Sequence, residues 1–125
     1  MEAGSLSPAL RRGVRLFNFG RYFGAQQVFE DAWRVAEEPV ERAFLEALVQ
    51  LAGGLHLRTR RGATRGAVHL VSQALVTLEG CRPAHFGVDV GALIEEFHAY
   101  VEWMKQIDRP HRMLDRLTIP RLRTA

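Results

Sequence analysis

The chain has 125 residues, 47% of them hydrophobic and 25% charged, which fits one folded domain around one core and excludes a disordered chain. The net charge of +3 is carried almost wholly by arginine, because Lys105 is the single lysine. No apolar run nears the roughly 20 residues needed to cross a bilayer, the opening MEAGSLSPALRRG lacks the apolar core of a signal peptide, and the lone Cys81 rules out an internal disulfide, so a reducing cytoplasm with no membrane partner is expected.

Strand signals are scarce, while apolar residues recur with a period near 3.6 in several segments. A first helix is expected over residues 7–18, with Ser7 as cap and Pro8 in the first turn, and Gly20 breaks the chain after it. A second spans 21–36, with Tyr22, Ala25, Phe29, Ala32 and Trp33 on one face; Glu37-Glu38-Pro39 ends it, since a residue before proline is pushed out of helical geometry. A third covers 40–61 with a stripe of Phe44, Leu48, Leu51 and Leu55, and Gly62 stops it. A fourth runs over 63–78 with Ala67, Leu70, Val71, Ala74, Leu75 and Leu78 inward, followed by a loop over 80–87. A fifth starts at the cap Asp89 and reaches 107, burying Val90, Leu93, Ile94, Phe97, Val101 and Met104. Beyond Pro110, the residues Met113, Leu114, Leu117 and Ile119 suggest one short helix, then Pro120 and a frayed end. The expected fold is all-α: an antiparallel bundle of about five helices in one domain over 1–125, with two packed hairpins in 7–79, a C-terminal helix in 88–107 and an extended or short helical tail in 108–125.

An internal pattern supports the hairpins. Gly20, Ala25, Phe29 and Ala32 are repeated 42 positions later by Gly62, Ala67, Val71 and Ala74. A turn glycine followed by small residues lets a second helix approach the first, and the set Gly20, Tyr22, Ala25, Phe29, Ala32 and Pro39 resembles the tetratricopeptide hairpin. A closer resemblance runs from about Leu16 to Leu78. FNFGRYFGAQQVFEDAWR and then RAFLEALVQLAGGLHLRTRRGATRGA are similar to the domain-of-unknown-function family 309, small helical proteins of bacteria and archaea. That resemblance implies a helical fold and no settled activity. The family's His-Glu pair stands here as Gln26-Gln27, an acidic position is Gly24 and a glutamine position is Glu46, so no acid–base or metal role of that pair carries over.

Candidate site residues lie on the second and third helices. Gln26, Glu30 and Trp33 share one neighbourhood, and Arg42, Glu46 and Gln50 recur at i, i+4, i+8 opposite the Phe44 stripe. They are read as an ion-pair network between hairpins or as a polar pocket. Ala52-Gly53-Gly54 lies mid-helix, where glycine costs about 1 kcal/mol relative to alanine; close approach of another backbone, or room for a ligand, offsets that cost. Glu95 and His98 at i, i+3 are weak metal candidates, because a di-iron bundle needs a second such pair and two more carboxylates. No cofactor is implied. Cys81 lies beside Arg82, a neighbour that lowers a thiol pKa modestly, but it is read as an incidental thiol. The arginines of 58–65 and 109–123 are read as helix-end charges that solvate the surface, with no base-reading motif, so nucleic acid is not expected. The favoured function is a non-enzymatic module for a protein partner or homo-oligomer, with Trp33 and Trp103 as anchors. The competing reading is a small-molecule-binding protein or enzyme using a polar pocket between the second and third helices.

Overall fold

The structure is a computed structural model that describes residues 7–107, 109–110 and 112–124, with the backbone alone for Arg112. Among the described residues six helices follow in order: α1 (Pro8–Asn18), α2 (Tyr22–Val35), α3 (Pro39–His56), α4 (Thr64–Leu78), α5 (Val90–Gln106) and α6 (Arg112–Thr118). The fold is all-α, with one two-residue hairpin of β1 (Ala84–His85) and β2 (Val88–Asp89). The Ser7 hydroxyl accepts from the Leu10 amide at 3.1 Å, and the Asp89 carboxylate accepts from Ala92 at 3.1 Å, so both expected caps start their helices.

Pro39 opens α3 rather than closing α2. α2 stops at Val35, and Glu38 caps α3 by accepting from the amides of Val40 and Glu41 at 3.1 and 2.8 Å. Proline lacks the N–H that a first helical turn cannot use, which is why it fits there. α3 is central, packed on α2 along one side and α4 along the other, while α1 covers α2 and α5 covers α4. Its stripe of Phe44, Leu48, Leu51 and Leu55 is fully buried.

Two close approaches use glycine. Gly54 lies against α4, where a Cβ would meet Val71 at 3.0 Å and the Ala67 carbonyl at 3.3 Å. A Cβ at Gly13 of α1 would overlap the buried Phe29 ring of α2. Gly20 and Gly62, which end the first and third helical segments, both adopt left-handed φ, at +80° and +65°.

Three expectations are corrected. The 80–87 segment is a 3₁₀ turn over Glu79–Cys81 followed by the hairpin, rather than a plain loop. The last turn of the third helix widens into a π-turn over Leu57–Arg61. The C-terminal end is docked rather than frayed. Leu122 is buried, its amide donates to the Asn18 side chain at 2.8 Å and its carbonyl accepts from that side chain at 2.9 Å, while Asp89 donates to the Arg123 carbonyl at 2.8 Å. Two backbone groups of an extended segment are thereby satisfied by one asparagine, which holds it against the bundle.

Candidate functional site

Among the described residues, the most heavily bonded side chain is Arg58, on the π-turn. It is 0% exposed and forms a two-point pair with Asp115 of α6, Nε to Oδ2 at 2.9 Å and Nη2 to Oδ1 at 3.2 Å. Nη1 donates to the Thr64 hydroxyl at 2.8 Å, Nη2 to the Arg109 carbonyl at 3.4 Å, and the guanidinium lies 5.2 Å above the Trp103 ring. A buried charge persists only with such a set of partners. Trp103 stacks on Tyr100, which meets Phe97, which meets Phe17, which meets Tyr22, so one aromatic chain backs the pair. Burial raises the pKa of both phenols, and the negative charge of Asp115 adds to it; Tyr22 is pushed up to about 12 and Tyr100 also rises. The Tyr100 hydroxyl is buried beside the Arg58 guanidinium.

Two depressions adjoin this cluster, and Gly20, Tyr22 and Arg60 line both. One, of about 550 Å³, lies between α6 and the α1–α2 turn, with Phe19, Pro110 and Ile119 as apolar walls and Asp115 and Arg116 as charged ones. The other, of about 730 Å³, runs along α2 and is lined by Arg12, Arg21, Arg34 and Arg60. Its carboxylates, Glu30 and Asp31, are both held by Arg34, at 2.8 and 3.2 Å. The first turn of α2 opens into this groove with no side-chain cap.

Comparison with known families assigns residues 10–70, from α1 to the middle of α4, to a family model described as a domain of unknown function (DUF309). This segment belongs to the DUF309 family. No curated protein matches the sequence. The match starts six residues before the span read from the motifs and stops eight before its end, and α5 and α6 lie outside it.

Within the DUF309 segment, the six sequence-selected residues separate. Gln26 packs under Gly53, where a Cβ would come within 2.9 Å of its Nε2. Trp33 and Arg42 meet: the guanidinium stacks 4.7 Å from the indole, and Nη1 donates to the carbonyls of Trp33 and Ala36 at 3.0 and 2.8 Å. Arg42 thus caps the C-terminal end of α2, where the helix dipole favours a cation. Glu30 faces the 730 Å³ groove and pairs with Arg34; Glu46 is exposed and Gln50 half-buried. Neither depression includes Trp33, Arg42, Glu46 or Gln50.

Elsewhere, Glu95 and His98 are exposed on α5, and no group of three or more metal-ligating side chains occurs among the described residues. Cys81 is buried, and burial pushes its thiol pKa up, opposite to the expected direction, while Arg82 is engaged by Glu79 at 2.7 Å. Arg58 is also a correction, since it is an interior residue rather than a surface charge. Its spacing held the signal: Phe44, Leu48, Leu51, Leu55 and Arg58 follow one 4-3-4-3 stripe. No described helix is long and apolar enough to cross a membrane.

Proposed function

We propose that the protein is a non-enzymatic protein-interaction module that seats an acidic amphipathic helix of a partner on the outward face of α6. The observation that carries this is an inverted helix. On α6 the buried residue is Asp115, while Met113 is 61% and Leu117 74% exposed and Leu114 also faces solvent. Apolar side chains grouped on one exposed face are the usual mark of a binding surface. The surroundings choose the partner. Arg109 and Arg116 are exposed and flank this face in the chain, and Arg60 lines the depression beside α6, so the complement is apolar residues at helical spacing flanked by Asp and Glu. A second copy would bring the same arginines against each other, which favours a different protein.

The single lysine, Lys105, lies in the last turn of α5 just before this surface, so amine-reactive cross-linking in expressing cells reports on it. The cross-linked segment of the partner is expected to be an acidic amphipathic helix. The double variant Met113→Asp/Leu117→Asp, made at exposed positions that leave the core intact, should weaken the purified complex at least about tenfold, the cost of two lost apolar contacts. A partner that binds this variant as well as the parent defeats the reading. A light-scattering dimer that the same variant dissolves replaces the partner with self-association.

A further inference from the structure

We propose that the groove along α2 binds a small phosphate-bearing molecule that carries a planar ring, the chemistry of a nucleotide. The charge balance in the groove is the first argument. Four arginines face two carboxylates, and both carboxylates are taken by Arg34 alone. Arg12, Arg21 and Arg60 therefore line one depression with no ion pair among the described residues. They come from α1, the α1–α2 turn and the π-turn. Three guanidiniums brought from separate segments to one concavity repel one another, and a bound anion with several oxygens removes that repulsion while using their paired donors.

The second argument is the aromatic wall. Phe23 is 55% exposed, far above what its type prefers, and its ring centroid lies 5.3 Å from that of His56 with the planes tilted by 40°. Both residues line the same groove as the arginines. An exposed phenyl backed by an imidazole offers a face on which a heteroaromatic ring stacks. The third argument is size: about 730 Å³ lies within the usual range for a small-molecule site, roughly 300–1,000 Å³.

Calorimetry on the whole chain tests this with ATP and with inorganic pyrophosphate as probes. ATP is expected to bind with Kd of about 100 μM or tighter, and pyrophosphate more weakly, because it lacks the ring. Arg12→Gln and Arg60→Gln should each weaken both probes roughly tenfold, the usual effect of one charge-assisted contact, whereas Arg65→Gln, outside the groove, should leave both unchanged. Phe23→Ala should weaken ATP and spare pyrophosphate. All four positions are solvent-facing, and circular dichroism confirms that each variant is folded. No heat with either probe at about 1 mM, or equal losses for Arg65→Gln and Arg60→Gln, overturns the proposal. Binding to oligothymidine that exceeds ATP and strengthens with length also overturns it, by making the groove part of a strand-binding surface.

Discussion

Asp115→Ala should destabilise the protein by about 3–5 kcal/mol, the usual cost of removing one partner from a buried ion pair. The substitution takes both carboxylate oxygens from a guanidinium that is 0% exposed, whose contacts with Thr64, the Arg109 carbonyl and the Trp103 face do not replace a counter-charge. α6 offers little in compensation, because Met113 and Leu117 point away from the core. For a chain of this length the loss corresponds to a fall in Tm of about 10–20 °C. Against a total stability of about 5–15 kcal/mol, the variant stays folded but marginal. Urea unfolding gives the free energy directly, and a thermal melt gives Tm. The companion variant Arg58→Met/Asp115→Leu removes both charges and should recover most of the loss, since a buried pair costs desolvation as well as contributing attraction. The cycle completed by the matching single variants Arg58→Met and Asp115→Leu then isolates the coupling. A loss below about 1 kcal/mol for Asp115→Ala, or one that disappears in about 0.5 M salt, would mean that the pair is a screened surface contact and that the argument is wrong.

Two further outcomes follow from the packing. Tyr22 and Tyr100 are the only tyrosines and both have raised pKa values, so phenolate absorbance at 295 nm should not develop near pH 10 in the native protein. The unfolded chain loses those protons near pH 10 while the folded chain keeps them. Stability is therefore full below pH 10 and falls between pH 10 and about 12, by up to about 1.4 kcal/mol per pH unit for each phenol; a normal phenolate titration with the fold intact contradicts this. Gly53→Ala and Gly54→Ala should part company. Each gains about 1 kcal/mol in helix propensity, but the new methyl meets the movable end of Gln26 at position 53 and the Val71 methyl and Ala67 backbone at position 54. Urea unfolding should place Gly53→Ala near or above the parent and Gly54→Ala about 1–2 kcal/mol below it; the opposite order would refute the reading of these contacts.

The helices were legible because burial imposes a period. The faces read from Phe44 to Leu55 and from Val90 to Met104 are the buried ones, and the caps Ser7 and Asp89 stand where small acceptors precede apolar runs. Charge misled where it overrode that same period. Arg58 continues the α3 stripe, yet a cation was assigned to solvent because an unpaired one would belong there. Its partner, Asp115, is the only acid between Arg109 and Arg123, and nothing in local spacing joins positions 57 residues apart. In the tail, the apolar spacing marks a short helix but not its rotation, and the buried carboxylate of Asp115 leaves Met113, Leu114 and Leu117 facing solvent. The groove was illegible for a related reason: Arg12, Arg21 and Arg60 belong to three segments, so only the tertiary fold gathers them. Of the polar set chosen from sequence, Trp33 and Arg42 come together, and they do so to close a helix end.

The orientation of α6 links the buried pair to the proposed docking surface. A seven-residue helix has little stability of its own, and an isolated one of this sequence would turn Met113, Leu114 and Leu117 toward any apolar surface available. Here the two-point geometry of Arg58 and Asp115 fixes the rotation of α6 about its axis. Positions 113 and 117 lie nearly opposite 115 on a helical wheel, so the rotation that buries the carboxylate must expose those two side chains. Asn18 and Leu122 hold the segment that follows. An ion pair that merely stabilised the fold would be served as well by an apolar pair of similar volume. A charged pair adds direction: it admits one face of α6 and rejects the other, whose apolar side chains cannot satisfy a buried guanidinium. The Arg58–Asp115 pair thereby keeps an apolar surface on the outside of a protein that would otherwise gain by folding it in.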